Sequence, residues 1–321
     1  MRRLAPYAAF LAVLSLVPAV FTRVPFYTMA SGVVMGLTAL AALGLVPLTG
    51  YAGQVSLGQG AFYATGAYTS AVLTQRYGVN AAVALLAGAV LAGAAAWLLG
   101  LFLFRVQGHY LALATLAFGL AVAHLANQLS FTGGPNGVPG VPALAPFGHR
   151  LRGDVDVYAL VAGLLLVAVL AVGWLLAAPL GRALTAVGDA PVAAAAAGVG
   201  IARLRRLAFT LAAVLASVAG SVYAHWSGFV DPSTAGLLNS IQLLIIATVG
   251  GLRTVWGAPV GAFAVVSLSQ AAKEYVPRML PHAGGDYEIV VYGVALVLVL
   301  LFLPDGVAGG ARRLLRRRPA G

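Results

Sequence analysis

Apolar runs alternate with short polar segments along this chain, and nearly every charged residue lies in a polar segment. A membrane-spanning helix needs about 20 apolar residues. The pattern therefore predicts ten transmembrane helices, which cover residues 4–22, 29–48, 54–75, 80–104, 109–129, 157–177, 206–226, 237–252, 255–272 and 287–303. The eighth and ninth are short and meet at Gly250 and Gly251, so a re-entrant hairpin covered by protein is the alternative there.

The composition agrees with a membrane protein. Of the 321 residues, 61% are hydrophobic and 8% are charged, whereas a soluble domain usually carries about 25% charged residues. We predict an all-α, polytopic protein that forms one transmembrane domain over residues 1–321. Arg2 and Arg3 precede the first apolar run without a clear A-x-A cleavage site after it, which favours a retained first helix over a cleaved signal peptide.

The charges orient these ten predicted helices. The formal net charge is +11, and most of the 19 basic residues fall in the segments that face the cytoplasm if the N-terminus does. The positive-inside rule then predicts that both termini are cytoplasmic. The arginines of the basic tail, 304–321, are expected to contact anionic lipid head groups, and this placement argues against nucleic-acid binding.

Two polar loops are long enough to have a role of their own. Residues 130–156 are rich in glycine and proline and are predicted to be extracytoplasmic. Residues 178–205 are predicted to be cytoplasmic and contain an alanine-rich run, which indicates one or two short helices below the membrane.

Several kinds of chemistry find little support in the sequence. No carboxylate lies near the middle of a predicted span, which disfavours a proton- or sodium-driven carrier. The single lysine, Lys273, does not stand in a P-loop motif, so any ATP must be bound by another subunit. Zero cysteines exclude thiol chemistry and Cys-ligated metals. The five histidines lack metal-site spacing, and no G-x-S-x-G motif occurs, so we expect no catalytic residue, cofactor or metal in this chain.

The most polar intramembrane stretch is residues 50–68. Its side chains should face protein or water, because uncompensated amides are costly in hydrocarbon. Gln59, Tyr63 and Gly66 share one helix face, beside a face of small residues. Two hypotheses remain open: a pathway lining or gate, or a packing helix joined by interhelical amide bonds. The candidate pathway residues are Gln54, Ser56, Gln59 and Tyr63.

The same stretch, from Gly50 to Tyr68, resembles the signature of branched-chain amino acid ABC transporter permeases of LivM type. Further similarities to the family follow in order over about residues 30–305: HYLALATLAFG at 109–119, TGGPNG at 132–137, GRAL at 181–184 with Asp189 and Ala197-Gly198, LAF at 207–209, and residues 240–251 followed by GAPVGA at 257–262.

This resemblance implies an ABC importer permease fold in a bacterial inner membrane. It also implies a second permease of LivH type, two cytoplasmic ATPases that bind ATP and Mg²⁺, and an extracytoplasmic solute-binding protein that docks on the outer loops, including 130–156 and 227–236. The outer-loop candidates are Thr132, Gly133, Gly134 and Asn136.

The resemblance further implies that residues 181–206 form the segment that couples the permease to an ATPase. The candidates there are Arg182, Asp189, Gly198 and Arg203. Family members often carry a glutamate before the glycine, but residues 193–197 are all alanine here, so Asp189 or Arg182 would supply the polar contact. The alternative is an amphipathic surface helix that docks nothing.

Branched-chain, hydrophobic amino acids are the expected cargo. Urea or short amides carried by the same machine are the near alternative, since urea-type permeases share the signature. An ion-coupled secondary transporter or channel is the distant alternative, and a membrane-bound enzyme lacks a catalytic cluster.

Overall fold

A computed structural model describes residues 5–21, 23, 26–104, 109–145, 151, 153–279, 293–294 and 306–307. The tenth predicted span, 287–303, and the basic tail, 304–321, lie outside the described residues except for the two short pairs. Arg2, Arg3, His149 and His282 also lie outside them.

The described part of the chain is almost entirely helical, as predicted. Its helices are α1 Ala5–Phe21, α2 Met29–Leu43, α3 Gln59–Tyr77, α4 Ala81–Leu103, α5 His109–Gln128, α6 Asp154–Ala177, α7 Pro179–Asp189, α8 Pro191–Ala196, α9 Ile201–Ser227, α10 Leu237–Gly250 and α11 Gly257–Met279. A π-helical turn, Val46–Tyr51, extends α2, and 3₁₀ turns cover Ser130–Thr132, Gly134–Asn136 and Pro232–Ala235. The strands β1 Val138–Pro139 and β2 Phe229–Val230 pair antiparallel.

Five helical stretches among the described residues are long and apolar enough to cross a membrane. They are Met29–Tyr51, Ala81–Leu103, Leu111–Gln128, Asp154–Ala177 and Ile201–Ser227. The part of α1 from Pro6 to Phe21 and the whole of α10 are apolar but shorter. The protein is therefore a multi-pass, all-α membrane protein.

Contacts between helices give their relative directions. α3 and α9 run parallel, because Gln59 near the start of α3 bonds to Ala212 and Ser70 further along it bonds to His225. α10 and α11 form an antiparallel pair, in which Gly261 packs directly on the carbonyl of Ile246. The helices predicted at 237–252 and 255–272 correspond to α10 and α11, with the non-helical residues 251–256 between them.

Two glycines bring the backbones of α3 and α9 into direct contact. A Cβ on Gly66 would overlap the backbone of Ser217, and a Cβ on Gly220 would overlap the carbonyl of Tyr63. Such close approach is how helices attract one another in lipid, where the hydrophobic effect does not drive their association.

The third predicted span begins differently from the expectation. Residues 54–58 are not helical, and α3 starts only at Gln59. Gly53 has a φ of +66°, which interrupts the chain after the π-helical turn. The first turn of α3 then meets the first turn of α10, since the Gly60 N–H donates to Ser240 Oγ at 2.9 Å. Two helices of opposite direction therefore start beside each other inside the protein.

The candidate residues outside the helix interior lie at two ends of the molecule. We call the end with α7, residues 49–53 and Arg253 the α7 end, and the end with β1 and β2 the sheet end. At the sheet end, His225 Nδ1 lies 2.7 Å from the Pro142 carbonyl oxygen and its Nε2 lies 2.9 Å from Ser70 Oγ, which fixes the loop after β1 to α3 and α9.

Candidate functional site

The predicted coupling segment forms two short helices, α7 and α8, as expected for residues 178–205. α7 buries one face, made by Gly181, Leu184 and Val187, against the rest of the protein. The candidate residues Arg182, Asp189, Gly198 and Arg203 are all exposed. Gly198 has a φ of +79°, and a Cβ there would meet nothing within 4 Å, so the turn between α8 and α9 is open to a partner.

Arg253 joins the three chain segments of the α7 end. It forms an ion pair with Asp189, and its Nε donates to the Gly50 carbonyl at 3.4 Å. Tyr51 Oη donates to the Arg253 carbonyl at 3.1 Å. A Cβ on Gly188 would overlap the Tyr51 carbonyl, so α7 also touches this segment directly. The sequence identified Arg253 only as a topological charge, and its position beside Asp189 could not be read from their separation along the chain.

Gln54 and Ser56 lie in the irregular segment before α3 and make local hydrogen bonds. Gln54 Nε2 donates to the carbonyls of Ala52 and Gly53, at 3.3 and 3.0 Å. Ser56 Oγ accepts from the Gly58 N–H at 3.4 Å. Both side chains are buried, so these bonds stabilise the turn that leads into α3.

Gln59 joins three helices. Its side chain is 0% exposed, and Nε2 donates to the Ala41 carbonyl of α2 at 3.1 Å and to the Ala212 carbonyl of α9 at 2.9 Å. Its Oε1 has no hydrogen-bond partner among the described residues. These contacts are those of an interhelical amide bond, and a pathway role for Gln59 stays a prediction.

Tyr63 lies on the wall of a cavity of about 300 Å³ between α2, α3, α9 and α10. We call it the polar cavity. Its wall combines hydroxyls and amides with a few apolar side chains: Val34, Leu37, Thr38, Tyr63, Tyr223, Ser233, Thr234, Leu238, Asn239 and Gln242. The Tyr63 and Tyr223 rings stand 5.7 Å apart, centroid to centroid. Of the four predicted pathway residues, only Tyr63 lines this cavity.

Most of the outer-loop candidates shape the loop. Thr132 is buried, and its Oγ1 donates to the Ala126 carbonyl at 2.8 Å and to the Leu129 carbonyl at 2.7 Å. Gly133 and Gly134 have φ values of +80° and +56°, which favour glycine. Asn136 is exposed and is the member of the set whose side chain is available to a partner.

Within the described residues, no group of three or more His, Asp or Glu side chains could hold a metal ion.

Comparison with known proteins identifies the family. Residues 7–300 match the family described as "Branched-chain amino acid transport system / permease component". LivM of Escherichia coli K12, a high-affinity branched-chain amino acid transport system permease protein, is 32% identical over 289 residues, which cover 83% of this chain and 66% of that protein. The chain therefore spans just under two thirds of the length of LivM.

Two further relatives differ in length and in the cargo that their names give. LivH of Escherichia coli K12, from the same kind of transport system, is 26% identical over 300 residues, 88% of this chain and 94% of LivH. The autoinducer 2 import system permease LsrC of Klebsiella pneumoniae is 40% identical, but over only 43% of this chain and 40% of LsrC. No solved structure gives a significant match. The chain belongs to the family of branched-chain amino acid transport system permease components.

Proposed function

We propose that this chain is a transmembrane permease subunit of an ATP-driven importer of branched-chain, hydrophobic amino acids. The family match over residues 7–300 supports this proposal, as does the similarity to LivM and LivH over more than four fifths of the chain. LsrC, which is named for a different cargo, matches less than half of the chain, so it supports that cargo less well.

The exposed α7–α8 segment is the observation that favours an ATPase partner. Its buried face rests on the permease, and its exposed turn at Gly198 offers a surface outside the membrane. Arg253 and Asp189 join this segment to residues 50–51, which lead into the irregular segment before α3. A rigid-body movement of α7 would therefore reach the start of α3 and alter the pathway between the two permeases.

The proposed topology has ten spans, with both termini and the α7 end in the cytoplasm of a bacterium with an inner membrane. The basic residues at the α7 end support the orientation. Arg182, Arg203, Arg206 and Arg253 gather at the α7 end, and cytoplasmic segments carry an excess of basic residues.

The partners follow from this orientation. A LivH-type permease would complete the pathway, two ATPases would bind ATP and Mg²⁺ and dock on residues 181–206, and a solute-binding protein would dock at the sheet end. There, residues 130–156 and 227–236 would receive it, with Asn136 among the exposed contacts. Asp189 is held by Arg253, which favours Arg182 and Arg203 as the polar contacts to the ATPase.

Reconstitution of the full complex in proteoliposomes tests the proposal. With ATP inside and a loaded binding protein outside, the complex should accumulate radiolabelled L-leucine, and omission of the ATPases should abolish the uptake. Urea uptake in place of leucine would assign the cargo to the short amides. Leucine accumulation by this chain alone, driven by an ion gradient, would refute the ABC assignment.

A further inference from the structure

We infer that the polar cavity binds the zwitterionic head group of an α-amino acid with an apolar side chain as it crosses the permease. The inference rests on the proposed function and adds to it a site within this chain, with a named chemical class of ligand. The cavity has about 300 Å³, which is at the small end of the range for ligand sites and suits a single small molecule.

Tyr63 brings a hydroxyl to the cavity wall. The residue is 7% exposed and lines the cavity. A phenolic hydroxyl can both donate and accept a hydrogen bond. A bound molecule with a carboxylate or ammonium group would offer it a hydrogen-bond partner.

The charge of the wall restricts the ligand. No side chain that lines the cavity among the described residues is charged. Asp231 stands in the chain segment just before the wall residues Ser233 and Thr234, but its Oδ1 accepts from both of their hydroxyls, at 2.6 and 3.2 Å, and so holds their turn. A neutral, dipolar wall disfavours a ligand with net charge, because burying an unpaired ion is costly. A zwitterion has no net charge and matches such a wall.

The arrangement of dipoles orients the two ends of a zwitterion. Leu238 and Asn239 stand on the first turn of α10, whose N-cap is Gly236 without a capping side chain. The positive end of this helix favours a carboxylate. The paired rings of Tyr63 and Tyr223 on the opposite helices favour an ammonium, through the negative faces of aromatic rings.

The remaining wall fits the side chain of the same ligand. Val34, Leu37 and Leu238 are the apolar members of the lining. They offer a hydrophobic surface without deep enclosure, which agrees with a carrier that must release its cargo after each cycle.

A matched pair of substitutions on one helix tests the role of the Tyr63 hydroxyl. Tyr63→Phe removes only the hydroxyl and should lower leucine uptake per ATP hydrolysed about tenfold in the full complex, because the ligand loses a buried hydrogen bond. Tyr68→Phe is the control. Tyr68 is also 7% exposed, but it lines a separate apolar cavity between α3 and α5. The control variant should transport like the wild type, and equal transport by both variants would overturn the assignment of Tyr63.

A second pair of substitutions tests the cavity independently of the Tyr63 hydroxyl: one variant fills the cavity and the other is its control. Leu238→Trp should block leucine uptake while the complex still hydrolyses ATP. Leu86→Trp places the same bulk on α4, at a residue of similar exposure, 62% against 59% for Leu238, and should have no effect. Unimpaired uptake by Leu238→Trp would refute a pathway through the cavity.

The chemical class is tested by cysteine protection, which the absence of cysteine from this chain makes possible. Thr38→Cys, in a complex with cysteine-free partners, is labelled with a small methanethiosulfonate. L-leucine should slow the labelling, whereas leucinamide and 4-methylpentanoate, which each lack one charge, should not. Equal protection by all three, or by none, would refute a zwitterion site. The wild-type complex is assayed first, so that an absence of ATP-driven leucine uptake is scored against the proposed function and not against the cavity.

Discussion

The contact between α3 and α9 gives the sharpest prediction about stability. The substitution Gly66→Ala places a Cβ against the carbonyl oxygen, carbonyl carbon and Cα of Ser217. These are backbone atoms that no rotamer change can move, so the two helices must separate. Gly163→Ala in α6 is the matched control, because a Cβ there meets nothing within 4 Å.

The magnitude follows from two opposing terms. Alanine is better than glycine in a helix interior by about 1 kcal/mol, and this gain is common to both variants. Overpacking costs about 1–3 kcal/mol, and the rigid backbone places Gly66→Ala at the upper end of that range. The free energy of unfolding should therefore fall by about 2 kcal/mol in Gly66→Ala and rise by about 1 kcal/mol in Gly163→Ala, a difference of about 3 kcal/mol.

The assay is the midpoint of thermal unfolding of the purified chain in one detergent, followed by size exclusion after heating. At about 2 °C per kcal/mol for a chain of this size, the two midpoints should differ by about 6 °C, with the wild type between them. Gly66→Ala should also lower leucine uptake, since the displaced α3 carries Tyr63 away from Tyr223. Equal midpoints for the two variants would show that the α3–α9 contact is not close enough to exclude a methyl group, and would refute the reasoning.

Three further predictions concern the other candidate residues. Gln59→Leu should change the free energy of unfolding little. The variant loses two interhelical hydrogen bonds worth about 0.6 kcal/mol each, but it also removes the unpaired Oε1, which costs about 1–3 kcal/mol. If this variant is stable but does not transport leucine, Gln59 has the pathway role. Asp189→Asn should change the free energy of unfolding by less than about 1 kcal/mol, because the ion pair with Arg253 is more than half exposed. The same substitution should lower uptake per ATP hydrolysed. The charge swap Asp189→Arg with Arg253→Asp should restore the uptake if the ion pair transmits the movement. Gly198→Trp should abolish stimulation of the ATPase and leave membrane insertion intact, and coupled transport at the wild-type level would contradict the docking assignment.

Long apolar runs made much of the fold predictable from the sequence. The predicted span 80–104 corresponds to α4, Ala81–Leu103, and the predicted span 157–177 lies within α6, Asp154–Ala177. The shared face of Gln59, Tyr63 and Gly66 was also predicted, and all three do contact α9, through Ala212, Gly220 and Ser217. These features depend on local periodicity and composition, which a sequence contains directly.

The start of α3 was predicted wrongly for a physical reason. Average hydropathy over a window does not register backbone conformation, and it averages the polar Gln54 and Ser56 with the apolar residues around them. The positive φ of Gly53 is a matter of backbone conformation. The Leu57 N–H donates to Thr115 Oγ1 on α5, which lies far outside the window, and the Gly58 N–H donates to Ser56 Oγ.

Most of the residues that line the polar cavity could not be predicted from the sequence alone. Tyr63 could be nominated because a tyrosine stood among glycines and amides in an otherwise apolar helix. Its partners on the wall, Tyr223, Asn239 and Gln242, lie some 160 or more positions further along the chain, and each is unremarkable in its own segment. They meet Tyr63 because Gly66 and Gly220 let α3 and α9 touch, and because α10 starts beside α3 at Gly60 and Ser240. The glycines of the signature stretch therefore act at a distance from the site: they position the helices whose polar residues form it. It follows that a glycine substitution in this stretch should impair transport without any contact to the cargo, and that the Tyr63→Phe variant, which leaves every helix contact in place, separates cargo binding from helix packing.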